Sequence, residues 1–333
     1  MNYMEIVEKG RKRMKELGVY DRYFAGGAES GATLRINREF FGTMRFKFNI
    51  IDALPASTET EIFGCKLKTP VMCAALSTGV ELEKVTGSPL VMLANGVKEA
   101  GSMMFVGISS EKQLESVVET GVPTVKIVKP YNKHELVIQK IEHAERVGVK
   151  AVGMDIDFII GAKDRDRIRA ADVMGPKTSK DLKDFVSVTK LPFILKGVLG
   201  KKDAEKAVDI GAKCIVVSNH GSSVLDYAAH SLEVLPDIKS VSGDKVKVFV
   251  DGGFRRGTDV LKALALGADG VLVGRLLLLG LAANLNDGVR DIMKAVTAEL
   301  QRAMTLTGCG TLTDVDQSIL ERSNYIPHLL TEE

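Results

Sequence analysis

Apolar residues in this 333-residue chain come in short, nearly continuous runs, and the stretches between them have helical spacing. Runs such as Cys214-Ile215-Val216-Val217 and Val248-Phe249-Val250 have no polar face, as strands covered on both sides require. Eight strands are predicted: Thr69–Ala74, Met103–Gly107, Thr124–Val128, Ala151–Asp157, Pro192–Gly197, Lys213–Ser218, Lys247–Asp251 and Gly270–Gly274. Between them, apolar positions recur at three- and four-residue intervals. Leu136, Val137, Ile141, Ala144 and Val147 mark one such helix, closed by Gly148. Asp259 to Leu266 marks another, with Thr258 at the N-cap and Gly267 past the end. The alternation predicts an α/β fold, a (β/α)8 TIM barrel with its chemistry at the C-terminal strand ends. Residues 1–66 are expected to form an N-terminal extension that packs on the barrel and carries a helix at Met4–Leu17. Residues 67–333 form the barrel and its C-terminal helices.

Composition adds exclusions. Apolar residues make up 45% of the chain and charged residues 26%, with a net charge of +2, so neither nucleic acid nor a membrane surface is expected as the main partner. No apolar run is long enough to cross a bilayer, and the N-terminus lacks the apolar core of a signal peptide. The four cysteines are widely spaced with no CxxC pair, which fits a reducing cytoplasm and argues against a metal site.

Two predicted strands end in glycine–arginine turns: Asp251-Gly252-Gly253-Phe254-Arg255-Arg256-Gly257 and Gly274-Arg275. Glycines admit an anion close to the backbone and arginines supply fixed charge, the way a barrel holds a phosphate. Four titratable residues, Asp157, Lys196, His220 and Asp251, stand at strand ends around the same mouth. Singly, each is as readily a solvated loop residue; together they define a candidate site. Lys196 needs an anionic partner for its buried ammonium. His220, followed by a turn-permitting glycine, is the candidate proton acceptor, and a carboxylate such as Asp157 would fix its tautomer. His134, His143, His230 and His328 read as surface or packing residues, and Cys73 as a small core residue. The charged run from Lys163 to Arg169 reads as a solvated face or a substrate-facing lid.

Several of these stretches resemble the FMN-dependent α-hydroxy acid oxidases and dehydrogenases (glycolate oxidase, lactate oxidase, mandelate dehydrogenase). They are Leu191-Pro-Phe-Ile-Leu-Lys196-Gly, Ser218-Asn-His220-Gly, Asp251-Gly-Gly-Phe-Arg255-Arg-Gly-Thr-Asp-Val260 and Val273-Gly274-Arg275. Tyr23-Phe24-Ala25-Gly26-Gly27-Ala28-Glu29 and Met304-x-Leu-x-Gly308-Cys309 extend the likeness over nearly the whole chain. The resemblance implies FMN at the barrel mouth. Gly253, Arg255, Gly274 and Arg275 would hold its phosphate and Asp251 its ribityl chain. Lys196 would face the flavin N1–O2 edge, and the backbone of Ala74 and Ala75 its N5 side. Ser218 and Gly252, with Lys126 and Asp155 at the flavin edge, complete the expected cofactor set. His220, oriented by Asp157, would be the base, oxygen or another acceptor would reoxidise the flavin, and a homotetramer is implied.

The family's substrate-carboxylate clamp is missing. Its arginine position is Ser223, and its tyrosine positions are taken as Phe24 and Val128. Lys126 and Asp155 replace the usual glutamine and threonine and are expected to pair with each other. A substrate without a simple α-carboxylate follows, unless a basic residue between Lys163 and Arg169 restores the clamp. A non-redox FMN enzyme resembling type 2 isopentenyl diphosphate isomerase and a catalytically silent flavin-binding subunit are the alternatives.

Overall fold

The computed structural model describes residues 1–24, 26–76, 82–83, 86–164, 167–169 and 173–323. Eight parallel strands close into a barrel in chain order: β1 (Val71–Leu76), β2 (Met104–Val106), β3 (Thr124–Val128), β4 (Ala151–Asp155), β5 (Phe193–Val198), β6 (Cys214–Val217), β7 (Lys247–Val250) and β8 (Gly270–Val273). Closure leaves no strand edge unpaired.

Strand alternation divides the apolar residues into two cores. Met72, Phe105, Val125, Ile127, Ile194, Val216, Phe249 and Leu272 fill the barrel interior. The other parity, including Val128, Met154, Leu195 and Val217, packs outward against the helices. An antiparallel hairpin, Thr60–Ile62 with Cys65–Leu67, adds Ile62 and Leu67 to the interior core. Its tip residue Phe63 sets its ring edge-on to Phe249, 6.0 Å between centroids.

The N-terminal helix Tyr3–Glu16 buries Ile6, Val7 and Met14 in the outer core. Asn2 accepts from the Glu5 amide and Glu5 accepts from the Asn2 amide, a reciprocal cap on that helix. A second N-terminal helix, Ala32–Glu39, reaches the C-terminal face of the barrel, where Asn37 bonds Asn219. Residues 275–306 form one helical element that breaks at Asn284 and Leu285. The helix after β7 spans Gly257–Ala265, so Thr258 is its second residue and not its N-cap. The N-cap position is Arg256, and Asp259, the third helical residue, reaches back so that its Oδ2 accepts from the amides of Arg255 (2.9 Å) and Arg256 (3.1 Å).

Candidate active site

Counting by twos up each strand from the interior core puts Lys129, Asp155, Lys196, Ser218 and Asp251 in one inward-facing layer at the mouth. Lys196 Nζ lies 3.0 Å from Asp155 Oδ1, 3.4 Å from Ser218 Oγ and 3.6 Å from Asp251 Oδ2. Lys129 Nζ donates to Asp155 Oδ2 at 2.7 Å. All of these residues are buried. Burial pulls the Lys196 pKa down, but Asp155, Asp251 and Asp157 outweigh it and hold it above the ordinary lysine value. Burial likewise raises Asp155, and Lys129, Lys196 and His220 bring it well below the usual carboxylate range. The layer is therefore a charged network in which one carboxylate serves two ammonium groups.

His220 Nδ1 sits 3.0 and 3.1 Å from the two oxygens of Asp157 and 3.9 Å from Asp155 Oδ1. Nδ1–H facing a carboxylate leaves Nε2 as the ring's acceptor. The backbone holds this histidine at φ +54, a left-handed conformation that non-glycine residues rarely adopt and that collects at functional sites. The His220 amide donates to Ser218 Oγ (3.0 Å), and Ser223 Oγ donates to the His220 carbonyl (2.8 Å). Asp157 has room because residue 197 is glycine: a Cβ there would stand 2.3 Å from Asp157 Cγ. The Phe158 ring lies 5.1 Å from the His220 ring, with Lys129 Nζ 3.8 Å from its centroid.

The helix Ala32–Glu39 secures this loop. Asn37 and Asn219 exchange two side-chain hydrogen bonds (2.6 and 3.1 Å). Asp226 accepts from the Ser30 amide (2.9 Å), the Ser30 hydroxyl (2.5 Å) and the Thr33 amide (3.1 Å). Desolvation works to raise Asp226, but these donors hold it at about 2. Asp155, Asp157 and His220 bring possible metal-ligand atoms within 4.8 Å of one another. A cation there would meet the two ammonium groups already on Asp155.

The candidate phosphate-binding groups lie at the turns after β7 and β8. Arg275 donates to the carbonyls of Tyr23 (3.1 Å) and Gly221 (2.9 Å), and its pKa is pushed down to about 10 by burial and then by Arg255. Burial, then Arg38, also lowers Arg255. Neither guanidinium forms an ion pair with a carboxylate among the described residues, whereas Arg38 does, with Asp259 at 2.9 Å. Two neighbouring, partly buried guanidinium groups without a counter-anion suit a phosphate dianion. Asp251 Oδ1 is buried with no hydrogen-bond partner, an acceptor left for a ligand hydroxyl. Gly252 and Gly253, both at positive φ, carry the turn between these groups. The residues fit FMN.

Several sequence expectations need correction. Val128 packs in the outer core beneath the helices, so the mouth position on β3 is Lys129, which the sequence reading passed over. Lys126 does not pair with Asp155. Its Nζ donates to the Gly107 carbonyl (2.5 Å) and Ser109 Oγ (2.7 Å), and Asp155 takes Lys129 instead. Phe24 ends the short helix Tyr20–Phe24 with its ring stacked on Tyr20. Ala74 and Ala75 lie at the top of β1, where its register with β2 shifts. Cys73 is buried and its thiol pushed up to about 12 by burial, as suits a core residue. His143 bonds Glu115 (3.0 Å), and His134 packs on Phe185. His328, Ala25, Arg165 and Asp166 lie outside the described residues. The backbone of Ala162–Asp164 pairs antiparallel with Arg167–Arg169 on the loop that carries Asp157, but the side chains of that hairpin are also outside the description.

A barrel with two anion-ready turns and a His–Asp pair beside a buried lysine defines a class of flavin-binding oxidoreductases. Comparison with known proteins agrees: the model of the FMN-dependent dehydrogenase family matches residues 11–179 and 164–322. The chain is 32% identical to glycolate oxidase 3 of Arabidopsis thaliana, covering 99% of this chain and 98% of the relative. It is 33% identical to the L-lactate oxidase of a Nostoc species, covering 96% and 98%. Among solved structures, mandelate oxidase superposes with a TM-score of 0.87 at 28% identity, covering 97% of this chain and 98% of that one. The chain belongs to the FMN-dependent α-hydroxy acid oxidase and dehydrogenase family. It is an FMN-dependent oxidoreductase acting on CH–OH groups.

Proposed function

We propose that this enzyme oxidises a CH–OH or CH–NH carbon of a molecule that presents no simple α-carboxylate, with His220 as base. FMN, when bound, supplies the acceptor for the two electrons that leave that carbon. Arg255 and Arg275 would hold its phosphate, Asp251 would accept from its ribityl hydroxyls, and Lys196 would offer a fixed positive charge at the mouth. His220 Nε2 takes the substrate hydroxyl proton. Asp157 keeps the ring in the required tautomer and stabilises the imidazolium that forms.

The observation behind the substrate assignment is that the mouth has no spare cation beside His220 among the described residues. Lys129 is engaged by Asp155, and Lys196 by Asp155 and Asp251. Ser223 carries no charge, and its hydroxyl is spent on the His220 carbonyl. Anaerobic mixing of the holoenzyme with acids, alcohols and amines tests this. Bleaching by an alcohol or amine is expected, and rapid bleaching by L-lactate, glycolate or mandelate would refute the substrate class.

The enzyme works as a homotetramer in this proposal. Support comes from an exposed apolar stretch, Phe48, Ile50, Ile51 and Leu54, on a segment fixed by bonds from Asn49 N to Leu306 O and Ser57 N to Gly310 O. A reducing cytoplasm suits its four unpaired cysteines. No helix among the described residues is long and apolar enough to cross a membrane.

A further inference from the structure

At the mouth, two ammonium groups and two carboxylates stand in contact, and their formal charges cancel. Lys196 Nζ faces Asp155 Oδ1 at 3.0 Å and Asp251 Oδ2 at 3.6 Å, and Asp155 Oδ2 takes Lys129 Nζ at 2.7 Å. All four side chains are buried, so water and salt screen them little. Burial, which by itself would raise the Asp155 pKa, is outweighed by Lys129, Lys196 and His220, so this carboxylate stays ionised throughout the working range. Asp157 is a third carboxylate whose charge reaches Lys196. Lys196 therefore presents to the mouth far less positive field than a lone buried ammonium would.

The reduction potential of a flavin seated there depends on that field. Two electrons and one proton added to a neutral isoalloxazine leave one negative charge on the ring. A neighbouring cation stabilises that charge and a neighbouring carboxylate opposes it. We infer that Asp155 sets the reduction potential of FMN in this protein: by cancelling Lys196 it makes the bound flavin a weaker oxidant than the lysine alone would. Lys129, drawn onto the other oxygen of Asp155, limits the effect. Asp155 is then a tuning residue that acts through Lys196 and takes no proton from the substrate. Its field gives the oxidised flavin less pull on the donor and the reduced flavin more push toward the oxidant. The inference rests on the placement of FMN beside Lys196 proposed above and on no choice of substrate.

The test compares wild type and Asp155→Asn as FMN-loaded, full-length chains. Each is equilibrated anaerobically with a reference dye near neutral pH, without substrate. The visible spectrum then gives the ratio of reduced to oxidised flavin at a common dye potential. That ratio is expected to rise about tenfold or more in Asp155→Asn, equivalent to ~30 mV or more for a two-electron couple. A role confined to packing the two lysines would leave it where it was, and an unchanged or lower ratio would overturn the inference. If Asp155→Asn fails to fold, Lys129→Met carries the test. Losing Lys129 leaves the Asp155 charge less offset, so the ratio is expected to fall about threefold or more. An unchanged or higher ratio in that variant would overturn the inference equally. The dye measurement involves no substrate, so the two proposals fail separately. A raised ratio in Asp155→Asn, together with rapid bleaching of the wild type by L-lactate, would refute the substrate class and leave Asp155 in its tuning role.

Discussion

At the scale of the residue, two neighbouring carboxylates at the mouth have different partners, and the proposed mechanism gives them different work. Asp157 faces His220 and has no lysine against it in the described contacts, whereas Asp155 is committed to two ammonium groups. His220→Gln is expected to slow anaerobic flavin reduction by about 10²- to 10⁴-fold while the flavin content of the purified protein stays unchanged. Stopped-flow absorbance reads the first quantity and the visible spectrum the second.

Another histidine affects stability and not chemistry. His230 is buried between Phe40 and Phe41, its Nδ1 accepts from the Leu232 amide (3.0 Å), and burial pushes its pKa down to about 3. The unfolded chain takes up that proton near 6.5, so acid favours unfolding. This contribution is complete above about pH 6.5 and declines by up to ~1.4 kcal/mol per pH unit as pH falls toward about 3. Urea midpoints of the wild type and His230→Gln, compared at pH 7.5 and pH 5, are expected to fall more steeply in the wild type.

Among elements, the top of β5 controls the site most directly. Gly197 stands at φ +92 beside a register shift between β5 and β6, and its missing side chain is the space Asp157 occupies. Gly197→Ala is expected to displace the Asp157 carboxylate and cut the flavin reduction rate by about tenfold or more. Its cost in stability is expected to be ~1 kcal/mol or somewhat above, measured by thermal unfolding. The strands themselves were legible in the sequence because their apolar runs are uninterrupted. That same continuity concealed which face of β3 points inward. Thr124 to Lys129 is buried on both sides, so hydrophobicity carries no parity signal, and Val128 was taken for the mouth position that Lys129 holds. Lysines three positions apart along extended chain cannot face the same way, and counting from Val125 and Ile127 to Lys129, just past the strand, would have separated it from Lys126. The grip of helix Ala32–Glu39 on the catalytic loop had no local signal, since Asn37 and Asn219 meet across 182 positions of chain. Asp251 and the glycine–arginine turns were legible because phosphate chemistry restricts which residue types serve.

For the whole molecule, the apolar stretch from Phe48 to Leu54 bears on assembly. Ile51 is 86% and Phe48 76% exposed on a segment whose backbone is tied down, so the surface is displayed in one shape. Phe48→Asp combined with Ile51→Asp is expected to lower the mass measured by light scattering below that of the proposed tetramer, with flavin content retained.

The hairpin Thr60–Leu67 plugs the barrel floor with Ile62, Leu67 and Phe63. With the floor filled, the proposed oxidase would take its substrate and its oxidant in turn at the mouth of the barrel, the product leaving before the oxidant enters. Steady-state plots against reciprocal concentration should therefore give parallel lines, the kinetic pattern of an enzyme that alternates between two forms.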